Sequence, residues 1–197
     1  MLSGRAWEAK CEKTMSASLK ALARAGTAPY LFTVISDPAQ AAARLCMDCG
    51  LCCNGVMFDM VMLQPGDNPR ALKAHGLKVK RREHFRQPCI ALCGTQCTIY
   101  QHRPTRCRLF ECQQYQQVAA GTLAEAVAKA RIEEVKQQVA HIEPMLEGIS
   151  GSNPRKSLSQ RYASSLAEPV EATTQRAELI EAMEKLQGVL TEHFRVG

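Results

Sequence analysis

The sequence predicts a mainly α protein in which a small, irregular, cysteine-rich core lies between N-terminal and C-terminal helices. Nine of its ten cysteines fall between residues 46 and 112, and nine Gly and Pro residues punctuate that same segment with turns. The residues on either side show long stretches with apolar residues at helical spacing. We therefore divide the 197-residue chain into residues 1–45, 46–112 and 113–197.

The first region is predicted to hold two helices. Residues 4–25 contain little Gly or Pro, and this helix is expected to end near Gly26. A second helix is expected to begin at Ser36-Asp37-Pro38, because an N-cap residue followed by Pro in the first turn is a typical helix start. This second helix runs directly into Cys46, so a rigid element delivers the first clustered cysteine.

The middle region has few residues that could build an ordinary core. Its one apolar run, Val56–Leu63, fits either a strand or a helical turn. A segment with so little apolar content needs another source of folding energy.

The third region returns to helical patterning. A helix is predicted from about Gln113 to Leu146, with a break near Gly121, because Thr122 and Glu125 form a capping box. A linker is expected at residues 148–156, followed by one or two helices over 157–195 that are interrupted near Pro169. The predicted core stripes are Val118, Leu123, Val127, Ile132, Val135, Val139 and Ile142, then Ala177, Ile180, Met183, Leu186 and Leu190.

No stretch of the sequence has the roughly 20 consecutive apolar residues that span a bilayer. The N-terminal residues lack the apolar block of a secretory signal, so we expect a cytoplasmic protein without a membrane partner. In a reducing compartment, closely spaced cysteines favour metal binding over disulfides.

The spacing of the cysteines carries the chemistry. Cys46, Cys49 and Cys52 follow a C-x2-C-x2-C pattern, whose short gaps let successive thiolates turn back onto one metal. The pattern also matches the opening of a bacterial ferredoxin cluster motif, although the ferredoxin continuation is absent. Cys53 follows Cys52 directly, and adjacent side chains point in different directions. The doublet therefore favours two sites over one, and the metal is either zinc or an iron–sulfur cluster.

These residues carry a family resemblance. CMDCGLCC, a later Cys89, and CTIYQHRPTRCRLFEC from Cys97 to Cys112 resemble the YkgJ-type cysteine-cluster proteins, a family of zinc- or iron-chelating domains. The resemblance covers residues 46–112, leaves out the flanking helices, Cys11 and Cys93, and implies eight metal ligands: Cys46, Cys49, Cys52, Cys53, Cys89, Cys97, Cys107 and Cys112.

Several residues around the cysteines are candidates for a supporting role. Arg108, beside Cys107, is the best candidate to donate hydrogen bonds to a thiolate, whereas His102 is expected to face solvent.

The middle region carries ten basic and five acidic residues, which we interpret as compensation for the charge of the metal sites. This interpretation argues against nucleic acid as a partner. The basic run from Lys78 to Arg82 is either a solvated loop or a contact for an anionic partner.

Three functions fit the sequence. The first is a metal-binding protein with zinc or an iron–sulfur cluster, which in the iron–sulfur case includes a component of an oxidoreductase. The second is a structural zinc module whose helices dock a protein partner. The third is an enzyme like the flagellin lysine methylase, a longer relative of the family, but no glycine-rich nucleotide loop supports it. No catalytic residue is identified.

Overall fold

A computed structural model describes residues 37–81, 83–150, 153–167 and 174–196 of the chain. The helix predicted over residues 4–25, Cys11 and the interruption predicted near Pro169 lie outside these ranges. The fold is mainly α with a few very short strands, as the sequence predicts. Residues 37–197 form one compact unit. The division at residues 45/46 and 112/113 stays a prediction.

The elements follow one another in a simple order. The helices are α1 (Pro38–Cys49), α2 (Pro69–Ala74), α3 (Thr105–Leu109), α4 (Gln113–Ala119), α5 (Glu125–Ser150), α6 (Leu158–Ala167) and α7 (Thr174–His193). The strands are β1 (Met60–Met62), β2 (His84–Arg86), β3 (Leu92–Cys93) and β4 (Gln96–Cys97). Strands β1 and β2 pair antiparallel with Val61 opposite Phe85, and β3 pairs antiparallel with β4.

Helix α1 begins where the sequence predicts. The Asp37 carboxylate accepts a hydrogen bond from the Ala39 N–H at 3.1 Å, and Pro38 occupies the first helical position. The helix ends at Gly50, whose φ of +74° is the left-handed conformation that favours glycine. The helix therefore presents both Cys46 and Cys49 and reverses the chain immediately before Cys52.

Two separate cores hold the described residues together. The large core joins α1, the turn after it and helices α4 to α7, and its fully buried residues include Leu45, Leu51, Val135 and Leu186. The small core lies under the β1–β2 hairpin and α2. It comprises Leu63, Leu72, Leu77, Phe85, Ala91 and Ile99. The apolar run Val56–Leu63 resolves into turns followed by strand β1.

The predicted core stripes are partly correct. Val118, Ile132, Val135 and Ile142 are buried, but Val127 is exposed. On α7 the buried face is Leu179, Met183, Leu186 and Leu190, whereas Ala177 is exposed and Ile180 is half-buried. The observed buried face of α7 is rotated relative to the predicted face. Leu179, not Ile180, lies in line with Met183, Leu186 and Leu190, and this line continues to Phe194, which is also buried. In the described ranges, no helix combines the length and apolar content that crossing a membrane requires.

The turn after Cys53 depends on a close backbone approach at Gly55. Its φ is +88°, and a Cβ added there would lie 3.0 Å from the Cα of Ser157 at the start of α6. Gly66 has a similar φ of +94° but open space around it. We expect Gly66→Ala to cost about 1 kcal/mol from backbone strain alone, and Gly55→Ala to cost roughly 3 kcal/mol because the clash adds to the strain. Urea unfolding of both variants measures the difference, and equal losses would contradict the role given to the contact.

Candidate metal centre

Short elements bring the eight predicted ligands toward one another. Helix α1 carries Cys46 and Cys49, and the turn after Gly50 carries Cys52 and Cys53. The Cys53 carbonyl accepts a hydrogen bond from the Cys89 N–H at 2.7 Å, which links the first cysteine block to the second. The remaining positions are Cys97 on β4, Cys107 on α3 and Cys112 as the N-cap of α4.

All eight of these cysteines are free thiols, and only Cys46 among them is exposed. Cys93 differs from them because it is disulfide-bonded. Its exclusion from the candidate ligands, which the sequence analysis drew from the family pattern, agrees with this state. No disulfide competes for the eight thiols, so all of them are chemically able to ligate metal.

The thiols fall into two groups when only their strongest mutual repulsions are compared, although Cys53 also repels Cys52 and Cys46 more weakly. Burial raises the pKa of Cys52 well above its ordinary value, and repulsion from Cys49 and Cys112 raises it further. Cys46 and Cys49 also have a pKa raised first by burial and then by Cys112. We call these four residues set A: Cys46, Cys49, Cys52 and Cys112.

Cys53 belongs to the other group. Burial raises the pKa of Cys53, and repulsion from Cys89 and Cys107 is the next largest cause. Burial, together with the charges of Cys89 and Cys97, raises the pKa of Cys107 to about 12. We call these four residues set B: Cys53, Cys89, Cys97 and Cys107.

Packing supports the same division. Cys49, Cys52 and Cys112 of set A pack against the large core, while three cysteines of set B pack against the small core. The two sets adjoin at the Cys52–Cys53 doublet. Because neighbouring side chains diverge, one residue of the doublet faces each set.

A cavity of about 400 Å³ lies between the two sets, and seven of the eight cysteines line it. Its other walls are mostly apolar and aromatic, and Phe58 and Phe110 meet there edge to face with ring centroids 4.9 Å apart. Within the described residues, no three Cys, His, Asp or Glu side chains are close enough together to hold a single metal ion. The thiols therefore surround a shared cavity, and no three of them converge on one position.

The cationic side chain beside the thiols is Arg103, not Arg108 as the sequence analysis expected. The charge of Arg103 lowers the pKa of Cys46, Cys97 and Cys107 against the larger effect of burial, so Arg103 acts on both sets. Its guanidinium lies 3.6 Å from the centre of the Tyr100 ring, and its Nε–H donates to the Tyr100 carbonyl. This contact fixes the arginine between the sets.

The Arg108 side chain points away from the Cys107 thiol, because consecutive residues of a helix point in directions about 100° apart. Its guanidinium donates to the Thr105 hydroxyl at 3.2 Å, on the side of Asp67. The prediction for Arg108 was therefore wrong, and adjacency in sequence was the misleading signal. His102 is exposed as expected, and its ring stacks on that of His75 at 4.5 Å between centroids.

The basic excess of the middle region is explained only in part by the cysteines. The cations that most affect the thiol pKa values are Arg103 and, for Cys49, Lys136, which lies on α5 and donates to the Asp48 carbonyl at 3.1 Å. No residue from the basic run at Lys78 to Arg81 is among the largest influences on them. Arg103 and Lys136 therefore supply the positive charge that the sequence led us to expect near the thiolates. The basic run does not take part in this charge compensation.

The raised thiol pKa values make the metal-free protein sensitive to alkali. Unfolded thiols lose their protons near pH 9, whereas burial keeps the pKa of Cys49, which packs against the large core, at about 12. Between these limits the unfolded state binds fewer protons, so stability falls as pH rises. We expect the urea midpoint of the metal-free, reduced protein to fall between about pH 8 and about pH 10, roughly one unit on either side of the ordinary thiol pKa of 9.0. Metal-loaded protein, in which the thiolates are already deprotonated, should lack this loss.

The fold and the cysteine arrangement define the class of protein, a thiol-rich chelating module held on a helical scaffold. A family model confirms the resemblance expected from the sequence: residues 45–139 match the family CxxCxxCC, described as a "putative zinc- or iron-chelating domain". Residues 45–139, just under half of the chain, are therefore similar to the domain that this family model describes. No curated protein and no solved structure matches the chain.

The family match is longer than the sequence analysis expected. It extends past Cys112 through α4 and the first half of α5, which the resemblance was thought to leave out. The structure shows why these helices belong to the module. Cys112 caps α4, Ile132 and Val135 on α5 pack in the large core with α1, and Lys136 bonds to the chain beside Cys49.

Proposed function

We propose that this protein binds a thiophilic metal at two centres, one formed by set A and one by set B. The observation that carries the proposal is the separation of the eight free cysteines into two groups of four, with three cysteines of each group packed on that group's own core. Four thiolates are a complete ligand set for structural zinc and equally for an iron–sulfur cluster. The donor chemistry therefore fits the zinc- or iron-chelating description of the family.

The protein's own residues set the electrostatics of these centres. Four thiolates around a dication leave a net charge of about −2 at each centre. Arg103 is placed to lower that charge at both, because it acts on cysteines of set A and set B. The raised pKa values mean that metal must displace protons from the thiols, so affinity rises with pH.

An iron–sulfur cluster is the second candidate for what the centres hold, and two observations favour it. Set A combines a C-x2-C-x2-C run with one remote cysteine, and the next cysteine along the chain belongs to the other set, as in two-cluster ferredoxins. The cavity of about 400 Å³ among the thiols also offers more room than a single ion requires. On this proposal the protein is a redox component. If the two centres hold zinc instead of iron–sulfur clusters, the protein is a structural module.

Metal analysis of protein purified without oxygen tests both versions. Iron with acid-labile sulfide and absorption near 400 nm would establish the cluster. A colourless protein with two zinc ions per chain would establish the zinc version. Purified protein that takes up neither metal after reconstitution with iron and sulfide, or with zinc, would refute the proposed function.

A further inference from the structure

Three methionines stay exposed around the cysteine cavity. Met47, Met60 and Met62 line it, yet 37%, 43% and 43% of their surfaces remain accessible. On β1, Val61 turns toward the small core, so Met60 and Met62 share the opposite face. Methionine side chains normally bury, and an exposed group of them beside a cavity is typical of a surface that binds another protein.

Two unpaired arginines flank these methionines. Arg86 is the cross-strand partner of Met60, so both project from the same face of the hairpin. Arg106 is exposed and also lines the cavity. Among the described residues, no carboxylate forms an ion pair with either arginine. We call these five residues the methionine face: Met47, Met60, Met62, Arg86 and Arg106.

The charges of the methionine face are available for a partner. The thiol pKa values respond to Arg103 and Lys136, and neither Arg86 nor Arg106 is among the charges that most affect them. The hairpin that carries Arg86 also holds Lys80 and Arg81 near its turn, both exposed. An arginine-rich rim around an apolar centre is therefore complementary to an apolar patch surrounded by carboxylates.

We propose that the methionine face docks an acidic protein partner over the mouth of the cysteine cavity. Methionine and arginine are both enriched at protein interfaces, whereas a nucleic-acid backbone would use the arginines and leave three thioethers exposed to water. A role of the partner in supplying or removing metal rests on the proposed function. This role is suggested by Cys46, which lines the cavity and is the one exposed free thiol among the described residues. The docking contacts themselves include no candidate metal ligand, but the face is present only while the cysteine segment that carries β1, β2 and α3 is folded.

A phage-displayed library of random dodecapeptides, selected on the full-length protein, tests the proposal. The expected enrichment is for peptides that combine Asp and Glu with bulky apolar residues. A fluorescent copy of the most enriched peptide should bind about tenfold more weakly to R86E/R106E and to M60Q/M62Q. The matched control R155E/K185E reverses two exposed charges on other elements and should leave affinity unchanged, apart from a small screened effect.

Each other outcome overturns the docking proposal. Enrichment of basic peptides, or equal affinities for R86E/R106E and R155E/K185E, would show that the face does not select an acidic partner. Tighter binding of a 20-base-pair DNA duplex (about two helical turns), lost in R86E/R106E, would assign the face to nucleic acid. Self-association in sedimentation that R86E/R106E abolishes would assign it to a second copy of the chain. Metal content, measured on the same preparations, separates failure of docking from failure of the proposed function.

Discussion

Serine substitutions at Cys52 and at Cys53 are expected to remove metal from different centres, although the two residues are adjacent. Cys52 belongs to set A with Cys112, whereas Cys53 belongs to set B with Cys107. A hydroxyl does not replace a thiolate on a soft metal, so each single substitution should empty its own centre. The double variant should lose the metal of both.

Metal per chain, measured by mass spectrometry on protein purified without oxygen, decides the outcome. Cys112→Ser should reproduce the loss seen with Cys52→Ser, and Cys107→Ser the loss seen with Cys53→Ser. Cys93→Ser is the matched control and should retain the full metal content, since Cys93 is not a free thiol. If Cys52→Ser and Cys53→Ser deplete one and the same metal, the two sets collapse into a single centre.

Removal of metal is expected to unfold the cysteine segment while the C-terminal helices stay folded. The small core under the hairpin has only six buried apolar residues, too few to hold residues 60–107 by itself. A structural zinc site contributes about 10–16 kcal/mol in small metallo-domains, which is larger than the stability of many whole domains. Helices α5, α6 and α7 instead pack in the large core, which holds 18 buried residues and does not need set B.

Hydrogen exchange before and after chelation measures this asymmetry. Amides of β1, β2 and α3 should lose their protection, whereas those around Ile142 on α5 and Leu186 on α7 should keep most of it. Far-UV circular dichroism should correspondingly retain most of its helical signal. Uniform loss of protection across α5 and α7 would mean that the metal supports the whole fold, and unchanged protection in β1 and β2 would mean that the small core suffices.

Local sequence signals determined much of the scaffold. Asp37 and Pro38 fixed the start of α1, since a cap and a preset φ act within a few residues. The chain breaks near Gly121, which has a φ of +70°, as predicted, but α5 begins at Glu125 and the Thr122 hydroxyl donates to the Gln117 carbonyl, so the predicted capping box does not form. The cysteine spacing predicted a chelating chemistry and the family whose model matches residues 45–139, because ligand type and gaps of two residues are properties of the chain itself.

Only the tertiary structure decided how these parts combine. The doublet suggested two sites, but which remote cysteine joins Cys52 and which joins Cys53 depends on two cores that the chain forms at long range. Arg103 displaced Arg108 as the cation near the thiols because side-chain direction on a short helix, not sequence adjacency, sets distance to sulfur. The methionine face likewise exists because a three-residue strand turns Val61 inward. The sequence by itself established that the thiols offer ligands for a soft metal. Tertiary packing decided which thiols lie near one another, because repulsion and contact act through space between residues that are distant in sequence.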